Sequence, residues 1–117
     1  MNKPKTIICD IDGVLLNHKN KGLSEQLKTE PVDGAVKKLN EWDYKGYNII
    51  LITGRRESLR EATAFQLHKY KIFYDILIMG VGGGDSIIIN DKKFGSDIDT
   101  AYAINLCRNE GIKNVEL

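Results

Sequence analysis

Short runs of β-branched apolar residues alternate along the chain with segments in which apolar residues recur every three or four positions. The runs at 6–11 and 47–52 stay almost continuously apolar until they reach polar ends, which is typical of strands buried on both faces of a parallel sheet. Runs at 75–79, 86–90 and 101–106 have the same character. The pattern therefore predicts five strands.

Two segments between these runs have the periodicity of amphipathic helices. The first starts at Pro31 and stops at Gly46. Its apolar face consists of Val32, Ala35, Val36, Leu39 and Trp42. The second covers about 58–70, and its inner face consists of Leu59, Ala62, Leu67 and either Phe65 or Gln66. Strands that alternate with helices predict an α/β fold, here a three-layer, Rossmann-like parallel sheet flanked by helices.

The length of 117 residues is that of one domain, so we expect residues 1–117 to form a single core. The formal charge of +1 argues against nucleic acid and an anionic membrane as partners. No apolar run approaches the ~18 residues of a membrane span, and the polar start predicts no signal peptide. The two cysteines, Cys9 and Cys107, suit neither a disulfide framework nor a zinc site, so a reduced, cytoplasmic protein is expected.

Three of the predicted strands end in residues whose side chains can react or bind a metal. These are Asp10 and Asp12, then Thr53, then Asp91. Because ligands of open parallel sheets bind beyond the carboxyl ends of the strands, we expect these residues to share one crevice. Two adjacent carboxylates repel unless a proton or a cation lies between them, and oxygen ligands suit Mg²⁺. The alternative is that Asp-Ile-Asp-Gly is simply a strand ending in a turn. Cys9 alternates to the opposite face from Asp10, which favours a packed thiol.

Three motifs resemble those of the haloacid dehalogenase superfamily of phosphatases. Residues 7–15 (Ile-Ile-Cys-Asp-Ile-Asp-Gly-Val-Leu) resemble its first motif, and 50–55 (Ile-Leu-Ile-Thr-Gly-Arg) its second. Residues 88–91 (Ile-Ile-Asn-Asp) resemble its fourth motif. The resemblance runs from residue 6 to about residue 106 in the order of the family. It implies a haloacid dehalogenase-like core and a Mg²⁺-dependent phosphomonoester hydrolase that works through an aspartyl-phosphate intermediate.

The resemblance also implies a role for each matching residue. Asp10 is the expected nucleophile, Asp12 the general acid and base, and Thr53 a hydrogen-bond donor to the phosphoryl group. The expected metal ligands are Asp10, the Asp12 carbonyl and Asp91.

The second motif also carries candidate substrate-binding residues. These are Gly54, Arg55 and Arg56, which follow Thr53 at the crevice. Either arginine can grip an anionic substrate or be a surface charge at a helix start.

The sequence departs from the family at the usual lysine, because Val81 stands near the position expected for it. Lys92 is the preferred substitute and Lys93 the alternative, although both also suit a solvated surface. Slow or lost catalysis would be the consequence if neither replaces it. The glycine-rich stretch 80–84 is interpreted as a connection rather than a phosphate cradle, since no Gly-Lys-Ser/Thr follows it.

The spacing of the motifs leaves no room for a cap domain. Asp12 and Thr53 are 41 positions apart, enough for a flap at about 14–30 and one helix. Capless proteins of this kind act on large substrates or close the site with a neighbouring subunit. We therefore expect a homo-oligomer, a dimer or a tetramer, that hydrolyses a small phosphorylated substrate such as a sugar phosphate. This expectation follows a similarity to small phosphatases of bacterial surface-polysaccharide synthesis.

Other functions remain open at the level of the sequence. An uncapped site also suits a polynucleotide 3′-phosphatase, although the near-neutral charge argues against it. A response-regulator receiver would need an aspartate where Thr53 stands. The departure at Val81 favours a third alternative, a non-catalytic module that binds phosphate or metal.

Overall fold

The computed structural model describes residues 4–117, so the polar start of the chain lies partly outside the described residues. The elements are strand β1 (Thr6–Asp10), the one-turn helix α1 (Leu23–Gln26), helix α2 (Ala35–Tyr44), strand β2 (Asn48–Ile52), a 3-10 turn (Glu57–Leu59), helix α3 (Arg60–Lys69) and strand β3 (Ile76–Ile78). This alternation confirms the predicted α/β class. None of the described helices has the length and hydropathy needed to cross a bilayer.

The three strands form one parallel sheet in the order β1-β2-β3. Asp10 lies opposite Ile52, and Ile52 lies opposite Ile78, so the strands end at the same level. The connections from β1 to β2 and from β2 to β3 run in the same direction across the sheet. Because such crossovers are right-handed, α2 and α3 lie on the same face. The residues that follow β1 and β2 therefore emerge side by side at one edge.

The helix-covered face of the sheet forms the core of the molecule. Its strand residues are Cys9, Ile49, Leu51 and Leu77, and the helices add Leu39, Trp42 and Leu67. The packed position predicted for Cys9 is confirmed, since its side chain is buried. Burial, assisted by the neighbouring Asp10 carboxylate, raises the pKa of the Cys9 thiol to about 12. The thiol next to the candidate nucleophile is therefore an inert packing group.

The opposite face of the sheet carries five isoleucines and is only partly covered. Ile8, Ile76 and Ile78 expose 49%, 51% and 43% of their surface, and Ile50 and Ile52 are half-buried. The prediction that the strands are buried on both faces is therefore wrong for this sheet. The physical reason is that both long helices pack on one side, while the residues after β3 remain exposed rather than covering the other.

Helix α2 begins at Ala35 rather than at the predicted Pro31. Gly34, with a φ of 79°, stands immediately before the helix in the left-handed region, and Pro31 instead forms a bridge with Leu16. The predicted stop is confirmed, because Gly46 has a φ of 81° and its N–H donates to the Asp43 carbonyl at 2.9 Å.

Residues 80–106 contain neither helix nor strand in the described chain, so the predicted strands at 86–90 and 101–106 are wrong. The isoleucines of the first run are exposed, Ile89 to 94%. β-branched residues favour extended backbone, but a strand persists only where a neighbouring strand accepts and donates its hydrogen bonds. The glycine-rich stretch 80–84 is exposed and leads from β3 into this segment.

The loop after β1 and the end of the chain pack together. The predicted flap at 14–30 opens with Leu15 and Leu16, which are both fully buried. Near the C-terminus Gly111 and Ile112 are buried as well. The final residues therefore return to the loop that follows β1 and cover it.

Candidate functional site

Backbone hydrogen bonds join the residues that follow β2 to the end of β3. The Thr53 N–H donates to the Ile78 carbonyl at 3.0 Å, and the Val81 N–H donates to the Thr53 carbonyl at 2.9 Å. A Cβ on Gly54 would lie 3.2 Å from the Val81 carbonyl oxygen, so glycine permits this close approach. Asp10, as the last residue of β1, completes the same edge of the sheet.

Asp12 and Arg55 form a bidentate ion pair at this edge. Arg55 Nη2 donates to Asp12 Oδ1 at 2.8 Å, and Nε donates to Oδ2 at 3.1 Å. Gln26 Nε2 donates to the same Oδ1 at 2.7 Å, and the Thr53 hydroxyl lies 3.5 Å from Oδ2. Every one of these partners is a donor, so the Asp12 carboxylate acts purely as an acceptor in this arrangement.

The Arg55 guanidinium is turned into the protein. The residue as a whole is 7% exposed, and Nη1 donates to Thr63 Oγ1 at 3.1 Å and to Gln66 Oε1 at 2.8 Å. Together with its bonds to Asp12 and to the Gln26 carbonyl, these contacts use all five N–H donors. The structure thus leaves Arg55 no donor for the anionic substrate that the sequence assigned to it.

The neighbouring arginine is placed differently. Arg56 is exposed, and it stands immediately before the 3-10 segment Glu57–Leu59. Its predicted role in substrate binding stays a prediction.

The inward face of helix α3 is partly polar, and its Thr63 and Gln66 side chains accept hydrogen bonds from Arg55. Thr63, Gln66 and Leu67 are its buried residues, whereas Phe65 is 73% exposed. Of the two residues left open by the sequence pattern, Gln66 is therefore the inner one. Its Nε2 donates to the Gln26 and Thr29 carbonyls, both at 3.0 Å. Across the described chain, no buried side-chain polar atom lacks a hydrogen-bond partner. A polar residue on the inner helical face was the signal for this network.

Asp10 has a different environment from Asp12. Its Oδ1 accepts the Ile11 N–H at 3.0 Å, while Oδ2 accepts no hydrogen bond from the described residues. Burial raises the pKa of Asp10, and the nearby Asp12 carboxylate adds to the rise. The Ile11 N–H and the charges of Arg108 and His18 act in the opposite direction and lower it. Asp10 is thus a carboxylate with one oxygen held and one oxygen available.

The sequence analysis missed the segment that brings Arg108 and His18 to this place. The Asn109 N–H donates to the Gly13 carbonyl at 2.7 Å, and Asn109 Oδ1 accepts the His18 N–H at 2.7 Å. These residues are 91 positions apart, and no motif links them. The only local hint was an asparagine able to adopt a positive φ, which is 68° here.

Asp91 and Lys92 lie away from this arrangement, in the exposed segment that follows β3. Lys92 Nζ is 3.8 Å from Asp99 Oδ1. The charges that shift the pKa of Asp10 are those of Asp12, Arg108 and His18, and neither Asp91 nor Lys92 is among them. Within residues 4–117, no three His, Cys, Asp or Glu side chains come together as metal ligands. Asp10 and the Asp12 carbonyl alone do not make a Mg²⁺ site, and Asp91 does not join them in the described arrangement.

Comparison with known sequences gives no match, either to a protein-family model or to a curated protein. Solved structures do match. A chain of the Pnkp1/Rnl/Hen1 complex is 34% identical with a TM-score of 0.58, and the match covers 65% of this chain and 28% of that one. A chain of the Pnkp1/Rnl/Hen1 RNA repair complex has the same identity and TM-score, with 25% of that chain covered. The chain thus spans about a quarter of the length of these two.

A more distant match is a phosphatase. The D,D-heptose 1,7-bisphosphate phosphatase of B. bronchiseptica, complexed with magnesium and phosphate, is 17% identical with a TM-score of 0.53. The match covers 71% of this chain and 54% of that one. A protein from Vibrio cholerae is 22% identical with a TM-score of 0.54, over 74% of this chain and 79% of that one. At these identities the likenesses show the fold alone, and they agree with the small α/β fold built on a parallel sheet that is described above.

Proposed function

We propose that the chain is a phosphomonoester hydrolase in which Asp10 forms an aspartyl-phosphate intermediate. The observation that carries the proposal is the meeting of Asp10, Asp12 and Thr53 at one edge of a parallel sheet. Ligands of such sheets bind beyond the carboxyl ends of the strands, and a phosphatase is among the solved structures that share this fold. Motifs and fold therefore point to the same reaction.

In the first step of the proposed reaction, the nucleophile is the carboxylate oxygen of Asp10 that accepts no hydrogen bond from the described residues. The Ile11 N–H holds Oδ1, so Oδ2 attacks phosphorus in line. A bond from Oδ2 to phosphorus forms while the bond from phosphorus to the ester oxygen breaks, and the departing oxygen gains a proton. Water then attacks phosphorus, loses a proton and restores the Asp10 carboxylate as phosphate leaves. The Thr53 hydroxyl donates a hydrogen bond to a phosphoryl oxygen in both steps.

Asp12 is the proposed acid and base, and Arg55 is a positioning residue for it. The bidentate pair fixes the plane of the Asp12 carboxylate. To act as the acid, Asp12 must first take up a proton from solvent, and Oδ1 must exchange the Gln26 amide, its neutral side-chain donor, for the substrate oxygen. As the base, the carboxylate then takes the proton that the attacking water loses. Gln26 therefore holds the acid and base in its resting position.

Magnesium dependence is part of the proposal and is supported by two observations outside the geometry of the described site. The three motifs resemble those of Mg²⁺-dependent phosphatases, and a protein of the same fold was solved with magnesium and phosphate. Asp91 completes a metal site only if the segment that carries it moves to Asp10. Hydrolysis of an aryl phosphate should then stop in EDTA and return with Mg²⁺, whereas full activity in EDTA would remove the metal from the proposal.

For the substrate we propose a small phosphorylated metabolite such as a sugar phosphate. The near-neutral charge of +1 supports a small anion over a polyanion. Only the four-residue helix α1 and helix α2 separate Asp12 from β2, so the site is proposed to be uncapped.

A polynucleotide 3′-phosphatase is the second candidate, and one observation favours it. The match with the higher identity, 34%, is to a chain of an RNA repair complex. An uncapped edge would also admit the end of a nucleic acid strand. The two candidates predict different substrates for the same catalytic residues.

Kinetic comparison of substrates separates these candidates. Wild-type protein would be assayed with p-nitrophenyl phosphate, a panel of sugar phosphates and 3′-phosphorylated oligonucleotides. A kcat/KM highest on a sugar phosphate supports the first candidate, and one highest on the oligonucleotides supports the second. Asp43→Asn, an exposed change on α2, serves as the charge-matched control for Asp10→Asn. Turnover of none of these substrates would leave a non-catalytic phosphate-binding module.

We further propose that the chain self-associates as a dimer or tetramer in a reducing, cytoplasmic setting. The open sheet face with Ile8, Ile76 and Ile78 is apolar and exposed, which supports burial against a second copy. Cys9 and Cys107 are both free thiols. Sizing in solution tests the association: an oligomer that Ile78→Lys converts to monomer supports it, and a wild-type monomer contradicts it.

A further inference from the structure

We propose that Arg108 contacts the phosphoryl group at Asp10 and supplies the positive charge that the sequence lacks at Val81. This inference rests on the proposed phosphatase reaction. A phosphoryl group in transfer spreads negative charge over its oxygens, and catalysis consists largely of positioning and neutralising that charge. An arginine suits the task because its planar fork matches phosphate oxygens.

The backbone at Arg108 is fixed to the catalytic loop by its neighbour. The Asn109 N–H bonds the Gly13 carbonyl, and the Asn109 side chain bonds both the N–H and the carbonyl of His18, at 2.7 and 3.2 Å. Three hydrogen bonds thus anchor this part of the chain to the loop directly after Asp12. Asn109 has a φ of 68°, and asparagine is one of the few residues that adopts this conformation readily.

The side chain of Arg108 crosses Gly13, one residue beyond Asp12. Its Cγ lies 3.2 Å and its Nε 3.8 Å from the position that a Cβ on Gly13 would occupy. Gly13 also has a φ of 90°, so both its backbone and the space above it require glycine. The charge of Arg108 is close enough to act on the Asp10 carboxylate.

Arg108 and Arg55 differ in what their guanidinium groups bind. Arg55 is buried and has all five donors in use, whereas Arg108 is exposed and donates to no acceptor among residues 4–117. Lys92, the substitute suggested by the sequence, pairs with Asp99 in the exposed segment. Arg108 is therefore a cation with free donors beside Asp10.

The experiment compares Arg108→Ala, Arg108→Lys and Lys92→Ala with wild type. Lys45→Ala is the control, because Lys45 follows α2 at the opposite edge of the sheet. The readouts are kcat/KM for p-nitrophenyl phosphate and the Kd for inorganic phosphate by calorimetry. We expect Arg108→Ala to lower kcat/KM about 100-fold and to weaken phosphate binding. Arg108→Lys should recover part of both, and Lys92→Ala and Lys45→Ala should match wild type.

The outcomes separate this inference from the proposed function. If wild type hydrolyses the substrate and Arg108→Ala matches it in both readouts, the role of Arg108 is overturned while the phosphatase stands. The same conclusion follows if Lys92→Ala, rather than Arg108→Ala, lowers kcat/KM and weakens phosphate binding. If wild type binds phosphate without turnover and Arg108→Ala weakens binding, the phosphatase fails and Arg108 stands as a phosphate ligand. A wild type that neither turns over nor binds phosphate overturns both. Arg108→Gln, which keeps the side chain as far as Cδ and removes the charge, decides the case if Arg108→Ala melts at a lower temperature.

Discussion

Arg55 holds both carboxylate oxygens of Asp12, with Nη2–Oδ1 and Nε–Oδ2 distances of 2.8 and 3.1 Å. The Arg55 side chain is 3% exposed and the Asp12 side chain 18%, so the pair is largely withdrawn from water. Removing one partner of such a pair leaves the other charge without compensation, and this costs more than the pair itself contributes. The stability of the site therefore depends on the two residues together.

Arg55→Met should lower the free energy of unfolding by about 3–5 kcal/mol, because the Asp12 carboxylate and the acceptors on α3 lose their donors. Urea unfolding followed by circular dichroism measures the change. Arg56→Ala is the matched control, and as an exposed substitution it should stay within about 0.5 kcal/mol of wild type. A similar small change for Arg55→Met would show that the ion pair does not form in solution.

Asp10→Asn should raise stability at neutral pH. Burial raises the pKa of Asp10 in the folded state, so the folded chain holds the proton more tightly than the unfolded chain, whose Asp pKa is about 3.9. Wild type therefore loses stability as pH rises from that value through the folded pKa, and the asparagine variant does not. Urea unfolding at pH ~3 and ~7 tests the sign. The variant should match wild type at the lower pH and exceed it at the higher, and a variant less stable at neutral pH would contradict this.

Gln66→Ala should destabilise the protein by about 1–3 kcal/mol, since it leaves Arg55 Nη1 and the Thr29 carbonyl with one partner fewer. The adjacent Phe65→Ala serves as the control, because Phe65 is 73% exposed, and it should change stability by less than about 0.5 kcal/mol. Thermal melting of the two variants compares them directly. The reverse order would mean that α3 is rotated relative to the described arrangement.

Gly111→Ala should destabilise by more than about 1 kcal/mol. Its φ is 78°, and an added Cβ would lie 2.7 Å from Val32 Cγ1 and 3.3 Å from the Val14 carbonyl oxygen. Gly83→Ala is the control, because nothing lies within 4 Å of a Cβ there. Equal melting temperatures for the two variants would show that the C-terminal segment does not pack on the loop after β1.

The three strands and two long helices were predictable because each carries its own periodic pattern. β1, β2 and β3 are short β-branched runs, and they formed where neighbours satisfied their backbones. The run at 86–90 has the same composition and is not a strand here. Strand formation depends on a partner that local sequence does not specify. The same limit applies to the single-sided burial of the sheet, which follows from the direction of both crossovers.

The candidate site, like the fold, was predictable from the sequence only in part. The meeting of Asp10, Asp12 and Thr53 was predictable from the sequence because each stands at or just after the end of a recognisable strand. The direction of the Arg55 side chain was not, since it depends on acceptors contributed by α3. Arg108 was missed altogether, because its place beside Asp10 results from a tertiary contact between Asn109 and Gly13.

The most direct test of the central proposal is to look for the covalent intermediate itself. Wild-type protein and Asp10→Asn would be mixed with p-nitrophenyl phosphate and Mg²⁺, quenched in acid and digested, and their peptides analysed by mass spectrometry. We predict a phosphorylated peptide containing Asp10 in wild type, turnover of the substrate, and neither in Asp10→Asn. Turnover that persists in Asp10→Asn, or a wild type that is neither phosphorylated nor active, would contradict the assignment of Asp10 as the nucleophile of a phosphatase.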